Sequence, residues 1–411
     1  MASVAAAGRL RAFSALRHRD FRWFFLNIGV QSFGQGIQFL GIGFLILDLT
    51  GEKTALGLAV SLFGVSNFFF TFVGGVLADR VDRKLFLIAC VLGNAVITLA
   101  LAALALTGLA QMWHVYTVVF ILGGLMAVQM PARFALAADL VPREDMMNAV
   151  ALHTSIGQIG NMTGPLVGGW AIQYIDTWAG IMINGASYLL GIAFLMMVSR
   201  PVAITRRNSS PVSDFVGGLA HAVRTPMAAV LIFLSATFGF FGMAYMQVVP
   251  AFTTEFLRLN AFQTGIFMVF RGFGAFTGSM VVASWGDSKN KGLLMYLQLV
   301  ICSVGLIAMA WSQWFWAACA LVALVGSTSI GGFWPVSSSL MQLTTAPDMR
   351  GRMMAMMQLA PVFHFLGAWP LTWLAQLYGW SVAITSGAAV LLVISLAGWM
   401  YRPMVRRMNE I

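Results

Sequence analysis

Residues 74–87 read GGVLADRVDRKLFL, a short charged island between two long apolar runs. Gly75 and Asp79 are four residues apart, so on a helix they share one face. A weaker form of this turn recurs about two hundred residues later, where residues 285–291 read WGDSKNK, again between two apolar runs. A charged turn that recurs in matching surroundings indicates a membrane protein with an internal duplication.

The composition places most of the chain inside a membrane. Of its 411 residues, 59% are hydrophobic and only 9% are charged, which is too apolar for a water-soluble protein of this length. The apolar runs are about twenty residues or longer, enough to cross a hydrocarbon layer as helices. Helices also satisfy every backbone amide in lipid, and the short alternating strands of a β-barrel are not evident. We therefore expect an all-α integral membrane fold.

The net charge of +10 indicates orientation in a membrane rather than a nucleic-acid partner. Lys and Arg cluster in the turns on alternate sides of the apolar runs, as the positive-inside rule requires. Only Lys53 and Arg258 fall in external turns, and only Arg271 is predicted to be intramembrane. This asymmetry predicts a multi-pass protein of the inner (plasma) membrane with both termini in the cytoplasm. The basic N-terminus lacks a cleavable apolar core, so a signal peptide is not expected.

The apolar runs predict twelve transmembrane helices in two pseudo-symmetric six-helix bundles. We expect one bundle over residues 1–198, a cytoplasmic linker over 199–226 with an amphipathic helix near 213–223, and a second bundle over 227–411. A substrate path would follow the interface between the bundles. The predicted spans are 21–47, 54–78, 85–107, 112–130, 150–174, 178–198, 227–250, 262–285, 292–311, 315–335, 353–377 and 380–400.

Several polar residues fall within these spans. Arg271 lies near the middle of span 8, and an ionised group in a membrane is a functional hypothesis by default. It could bind an anionic substrate group or govern a proton site, or it could serve as a structural contact. His364, in span 11, could titrate during transport, although a structural hydrogen bond is the simpler interpretation. Span 1 carries a polar stripe that should face a cavity or another helix, formed by Asn27, Gln31, Gln35 and Gln38.

The charged island resembles the signature between helices 2 and 3 of the major facilitator superfamily, and the resemblance extends over nearly the whole chain. Asp82 stands where the signature usually has its second glycine. The resemblance implies that Asp79 contacts the inner end of helix 11 and that Arg83 joins the same charge network. It therefore implies a latch on the cytoplasmic side, formed by Gly75, Asp79, Arg80 and Arg83, with Asp287 in the second half.

A second resemblance lies in span 5, where residues 160–169 read GNMTGPLVGG, similar to the signature of the superfamily's antiporters. Gly160, Gly164 and Gly168 recur every four residues and form a flat face for close helix contact, and Gly169 completes the motif. Pro165 removes a backbone hydrogen bond and should bend the helix. Residues 131–152 resemble the branch that includes enterobactin exporters. These resemblances imply export.

The family pattern implies a central cavity, but the proton-coupling residue is left open. We find no acidic residue deep in a span, so Asp79, Asp139, Glu255, His364 and uncoupled export all remain possible. First helices of each helix triplet line the cavity in this family, which favours the span 1 stripe. The candidate cavity residues are Gln31, Gln35, Gln38, Tyr245, Arg271, Trp334 and His364.

The function expected from these observations is secondary export of a small amphiphilic compound, drug-like or siderophore-like, driven by protons. We expect a monomer in the lipid bilayer that needs no cofactor, metal or nucleic acid. An importer or facilitator of a small metabolite is the alternative within the same class. An integral-membrane enzyme would need a convergent catalytic set, and a Walker or Gly-x-Ser-x-Gly motif is not evident. A sensor would require a signalling domain.

Overall fold

The computed structural model describes residues 13–78, 81–199, 225–285, 290–346, 349–359 and 362–401. Its regular structure is helical throughout these residues, which confirms the all-α prediction. Three of the predicted latch residues, Asp79, Arg80 and Asp287, lie outside the described residues. The predicted amphipathic helix near 213–223 lies outside them as well.

The first half of the chain forms six long helices that match predicted spans 1 to 6. A short 3₁₀ turn over Ser14–Arg17 precedes them. The helices are α1 (Arg19–Thr50), α2 (Lys53–Ala78), α3 (Arg83–Leu106), α4 (Met112–Asp139), α5 (Met146–Tyr174) and α6 (Thr177–Met196).

Two helices of the second half contain π turns, and a third is described in pieces because residues 360–361 lie outside the described residues. Helix α7 comprises Pro226–Thr237, a π turn at Phe238–Met243, a 3₁₀ turn at Ala244–Val248, and Val249–Glu255. Helix α10 comprises Phe315–Thr328, a π turn at Ser329–Phe333, and Trp334–Thr344. Helix α11 comprises Arg350–Leu359, Val362–Leu366 and Ala368–Tyr378, while the continuous helices are α8 (Ala261–Ser284), α9 (Lys291–Trp311) and α12 (Trp380–Met400).

Ten helices among the described residues are long and apolar enough to cross a membrane. Helices α5 and α11 are not among these ten. Helix α5 is rich in glycine and polar residues, and α11 is described only in pieces of at most 11 residues. Both nevertheless occupy the positions predicted for spans 5 and 11. The helices therefore follow the predicted order, and their number agrees with the expected membrane fold.

Three predicted boundaries are wrong, and all were drawn beside a proline. The first is at Pro250, because α7 continues to Glu255. Helix α4 continues past Pro131 to Asp139, and α10 continues past Pro335 to Thr344. Proline is tolerated inside membrane helices because neighbouring helices satisfy the backbone groups that it frees. Arg133, expected in a cytoplasmic connection, therefore lies within α4. The prediction that Arg271 is the one basic residue inside a span is corrected accordingly.

The chain divides into two compact units that share α2. The first unit contains residues 1–45 and 66–208, and the second contains residues 46–65 and 209–411. The first half of α2 thus belongs to the second unit, whereas its last part belongs to the first. In the first unit, buried apolar side chains from α1, α3, α4 and α6 form one core, which includes Phe21, Phe24, Val91, Leu136 and Leu195.

The turn before α1 is fixed to the segment that precedes α5. The backbone amide of Ala15 donates to Asn148 Oδ1 over 3.0 Å, and His18 Nε2 lies 2.8 Å from Asp145 Oδ2. Hydrogen bonds from the Ser14 and His18 side chains hold the pKa of Asp145 below its usual value. A carboxyl group with a lowered pKa stabilises the folded contact above its ordinary pKa, and this contribution is lost as the pH falls through the folded value.

We predict that Asp145→Asn releases the turn over Ser14–Arg17 at neutral pH. A spin label at Phe13→Cys, an exposed position, should be immobilised in the parent protein until the pH falls below the ordinary carboxyl pKa of 3.8. In Asp145→Asn the label should be mobile at every pH, as measured by electron paramagnetic resonance. Glu144→Gln, at the exposed neighbouring residue, should behave like the parent. Identical pH profiles for the parent and Asp145→Asn would contradict the contact.

Candidate functional site

The glycine face of α5 lies directly on the backbone of α1. A Cβ atom at Gly160 would lie 2.7 Å from the backbone nitrogen of Phe33, and one at Gly168 would lie 2.9 Å from Ile37 Cγ2. A Cβ atom at Gly164 would overlap the carbonyl oxygen of Phe33. Side chains at these positions are therefore excluded, and the two helices approach to backbone contact, as expected of a small-residue face.

Pro165 lies within the continuous helix α5 and faces α1 as well. A Cβ atom at Gly36 would lie 2.8 Å from Pro165 Cδ and 3.2 Å from the carbonyl oxygen of Asn161. That carbonyl is the one that Pro165 deprives of its helical donor. The absent side chain of Gly36 thus leaves room for the proline ring and for the freed carbonyl. Gly169, the last residue of the motif, is buried on the same helix.

The polar stripe of α1 reaches two other helices. Gln38 Oε1 accepts a 2.7 Å hydrogen bond from the Tyr188 hydroxyl of α6, and Gln31 Oε1 accepts one from Arg133 of α4. Both glutamines are buried, whereas Gln35 is half-buried and donates to Met126 Sδ over 3.1 Å. The glutamines therefore hold α1 against α4 and α6.

Arg133 is the main polar residue that sequence reasoning missed. Its Nε atom is buried without a hydrogen-bond partner, and within the described part of the chain its guanidinium forms no ion pair. Tyr188, His153 and Cys90 lie within electrostatic range of it. The sequence did contain a signal that the helix continues. Residues 132–138 read ARFALAA, so Arg133 is the one residue in this stretch that is not apolar.

In the second unit, the structure brings Arg271, Tyr245 and His364 together. Arg271 Nη1 lies 3.4 Å from Met246 Sδ, and its Nε atom is buried without a partner. The Tyr245 hydroxyl is also buried and unpartnered, and both Tyr245 and His364 interact electrostatically with Arg271. Trp334 is half-buried at the start of the last α10 segment and does not belong to this group.

Helix α8, which carries Arg271, contacts α10 as closely as α5 contacts α1. Cβ atoms at Gly274 and Gly278 would overlap the carbonyl oxygens of Ala323 and Ser327, and one at Gly326 would overlap the carbonyl oxygen of Arg271. The backbone that carries Arg271 is therefore fixed against α10. Sequence reasoning did not identify this contact, although Gly274 and Gly278 are four residues apart and therefore share one face of α8.

The latch region is described only in part. Gly75 lies in the last turn of α2, and Arg83, the first residue of α3, donates to Asp139 at the end of α4. Asp82 caps α3, since its Oδ1 accepts a 3.0 Å hydrogen bond from the amide of Leu85. Its φ of −59° is available to any residue, so the turn does not require the glycine usual at this position.

A second charged cluster lies within the second unit, at the start of α2. Lys53 Nζ lies 2.5 Å from Glu255 Oε2, and the indole Nε1 of Trp380 donates to the same oxygen over 2.9 Å. The ammonium group also lies 5.6 Å from the centroid of the Trp380 ring. Further along α2, the Ser61 hydroxyl donates to the carbonyl oxygen of Phe365 over 3.1 Å. Polar bonds thus hold residues 46–65 in this unit.

Curated relatives of this chain are membrane transporters of low sequence identity. The uncharacterized MFS-type transporter YkuC of Bacillus subtilis is 24% identical over 340 residues, covering 78% of each chain. The enterobactin exporter EntS of Salmonella typhimurium is 26% identical over 349 residues, covering 82% of this chain and 80% of EntS.

Solved structures of transporters share the fold at still lower identity. The nucleoside transporter NupG superposes with a TM-score of 0.76 at 14% identity, covering 93% of this chain and 98% of NupG. A bacterial homolog of the human lysosomal transporter Spinster, in an inward-facing and unoccupied conformation, gives a TM-score of 0.74 at 14% identity, covering 95% of this chain and 97% of that chain.

The family model for the Major Facilitator Superfamily matches residues 24–363, which include both glycine contacts, Arg133 and Arg271. This match spans well over half of the chain and agrees with the order of the helices. The protein therefore belongs to the Major Facilitator Superfamily of membrane transporters.

Proposed function

We propose that this transporter exports small amphiphilic compounds from the cytoplasm by proton-coupled alternating access. The observation that carries the proposal is the close contact of the antiporter-type motif with α1, which Gly160, Gly164, Pro165 and Gly168 form. Gly169 completes the motif and is buried. The similarity to the enterobactin exporter EntS supports export and suggests drug-like or siderophore-like cargo. Import or facilitated passage of a metabolite is the alternative, and the direction of transport distinguishes the two.

In this proposal, the backbone contact between α1 and α5 makes the two helices move together. Helices that touch through glycines cannot approach further. Gly160 and Gly164 meet fixed backbone atoms of α1, and Gly168 meets a β-branched side chain. We infer that α1 and α5 move as one body during alternating access. The glutamine stripe on α1 would then move with α5 and keep its position relative to the bound compound.

Helix α2 has the opposite role, because its two ends belong to different units. If the units rock, one end of α2 must change its neighbours. The Lys53, Glu255 and Trp380 cluster is suited to such a change, since partly exposed ion pairs contribute only about 0.2–1 kcal/mol each. We propose that this cluster opens in each cycle, and that Gly75, Asp79, Arg80, Arg83 and Asp287 form the cytoplasmic latch.

Glu255 is a proton-coupling candidate that the cluster itself suggests. Protonation of its carboxylate would remove the charge that holds both Lys53 Nζ and the Trp380 indole. Asp139, paired with Arg83, and His364, beside Arg271, remain alternatives. We further propose a monomer in the inner membrane with cytoplasmic termini, and candidate cavity residues Gln31, Gln35, Gln38, Tyr245, Arg271, Trp334 and His364.

We predict that Gly164→Ala impairs transport while Gly157→Ala does not. Both changes add one methyl group to α5, but a Cβ atom at Gly157 would meet only Ser32 Oγ at 3.5 Å, an ordinary contact. At Gly164 the methyl group overlaps a backbone carbonyl, and such overpacking typically costs about 1–3 kcal/mol. We expect initial transport rates to fall roughly tenfold in Gly164→Ala at equal abundance.

The measurement uses inverted membrane vesicles with an acid interior and a panel of amphiphiles that includes catecholates and lipophilic cations. Export predicts proton release from the vesicles when a transported compound is added. Equal rates in both glycine variants would remove the mechanical role of the motif. Accumulation driven only by an inward proton gradient in right-side-out vesicles would support import instead.

We also predict that linking residues 53 and 380 arrests transport, a link that leaves Glu255 in place. The double variant Lys53→Cys with Trp380→Cys should lose transport when treated with a short, reducible thiol-specific cross-linker, and a reducing agent should restore it. The three native cysteines are buried, so the unmodified chain should keep its activity under the same treatment. Each single variant provides a further control. Full transport with the cross-link in place would show that the cluster does not open.

A further inference from the structure

We propose that Arg133 and Gln31 form an anion-binding subsite inside the first unit, which accepts a carboxylate or phenolate group of the transported compound. This inference rests on the proposed function in one respect, namely that the ligand of the subsite is the transported compound. The subsite would select acidic amphiphiles within the broad class of compounds that a transporter of this family could carry. Its two residues lie on α1 and α4, and α6 packs beside them.

The charge of Arg133 is the first argument for the subsite. An arginine guanidinium stays protonated, and a buried cation is costly unless an acid or several hydrogen bonds compensate it. Among the described residues, its guanidinium forms a hydrogen bond only with the neutral amide of Gln31. A basic group held among membrane helices without an acidic partner indicates a site that receives its counter-ion from outside the chain.

Two unused donors lie side by side and give the site its chemistry. The Nε atom of Arg133 is buried without a hydrogen-bond partner, and so is the Nε2 atom of Gln31. Gln31 Oε1 already accepts from the guanidinium, so the amide nitrogen lies beside the same cation. The guanidinium fork matches the two oxygens of a carboxylate, and the amide nitrogen offers one more donor.

The neighbouring residues orient this pair without supplying a negative charge. Asn27 Nδ2 donates to the carbonyl oxygen of Gly191 over 2.8 Å, and Tyr188 donates to Gln38 over 2.7 Å. These bonds fix α1 against α6 on both sides of Gln31. Arg133 as a whole is half-buried although its Nε atom is fully buried, so part of this residue remains accessible.

Arg271 differs from Arg133 and provides the matched comparison. It too lacks an ion pair among the described residues, but its hydrogen-bond contact is the thioether of Met246, and its unpartnered neighbour is the Tyr245 hydroxyl. A hydroxyl group can donate or accept, so this second group does not favour an anion as clearly as two donors do. The structure therefore assigns the acidic end of the cargo to Arg133.

The test measures equilibrium binding of 1-naphthoate, and of its neutral analogue 1-naphthamide, to the full chain in lipid nanodiscs. Tryptophan fluorescence of the protein reports the binding. We expect the native protein to bind naphthoate more tightly than naphthamide. Arg133→Gln should raise the Kd of naphthoate roughly tenfold or more, because a charge-assisted pair is lost, and should change the Kd of naphthamide less than about twofold. Arg133→Lys should recover part of the loss.

Gln31→Met is the second variant, since it keeps the volume of the side chain and removes only its donor and acceptor. It should weaken naphthoate binding without affecting naphthamide. Arg143→Gln, at an exposed arginine in the turn before α5, is the control for loss of a positive charge and should leave the preference for naphthoate intact. Equal losses for both ligands in Arg133→Gln would indicate a structural role and overturn the subsite. So would a native protein without preference for the anion, or a preference that only Arg271→Gln abolishes.

These outcomes separate the subsite from the proposed function, because the binding measurement needs no gradient and no direction of transport. Anion binding that depends on Arg133, combined with inward transport, would refute export and retain the subsite. Proton-coupled export that is unaffected by Arg133→Gln for acidic and neutral compounds alike would retain export and refute the subsite.

Discussion

A polar group inside a hydrocarbon layer must find its partner within the protein, because no water is available there. This constraint explains why the chain is helical and why α1 directs Asn27, Gln31 and Gln38 toward neighbouring helices. It also explains how α4 passes through Pro131 and α5 through Pro165, since packed neighbours surround the carbonyls that proline frees. Several residues keep a buried polar atom without a partner, and Arg133 and Arg271 stand out among them because they are arginines and carry a positive charge.

Close backbone contact is the second consequence of this setting. Between apolar helices in lipid, association depends on packing rather than on the exclusion of water, so small residues at the contact are favoured. Glycines bring α5 onto α1 in the first unit and α8 onto α10 in the second. Each of these helix pairs also carries residues of a polar group, the glutamine stripe on α1 and Arg271 on α8. Rigid packing and candidate binding groups are thus built on the same helices.

Much of the fold could be predicted from the sequence, because membrane helices are encoded by long apolar runs and by the sidedness of Lys and Arg. The helix ends at Pro131 and Pro335 could not, since local sequence marks proline as a breaker and only tertiary packing shows that the helix continues. Arg133 was misplaced for this reason. Arg271 was identified because it lies far from any proline or charged turn.

The side-chain contacts of the candidate site depended on tertiary structure even more strongly. The glycine periodicity of α5 predicted a flat face but could not name α1 as its partner. Glu255 lies 202 residues from Lys53, and neither residue carries a local signal for the other. Asp82 was noted as a departure from the family signature, and the structure shows that it acts as a helix cap. The latch residues Asp79, Arg80 and Asp287 remain predictions.

The central claim is that α1 and α5 move as one body while the first part of α2 changes its neighbours. Distances between pairs of spin labels in nanodiscs test this most directly, with one pair at Leu26 and Ile159 and another at Glu52 and Tyr378, all exposed positions. We compare these distances at several pH values and after a transported compound is added. The distance between the labels at Leu26 and Ile159 should stay unchanged. The labels at Glu52 and Tyr378 should show an additional population of molecules with a longer distance. A single unchanged distance for the pair at Glu52 and Tyr378, or a new population at Leu26 and Ile159, would contradict the account.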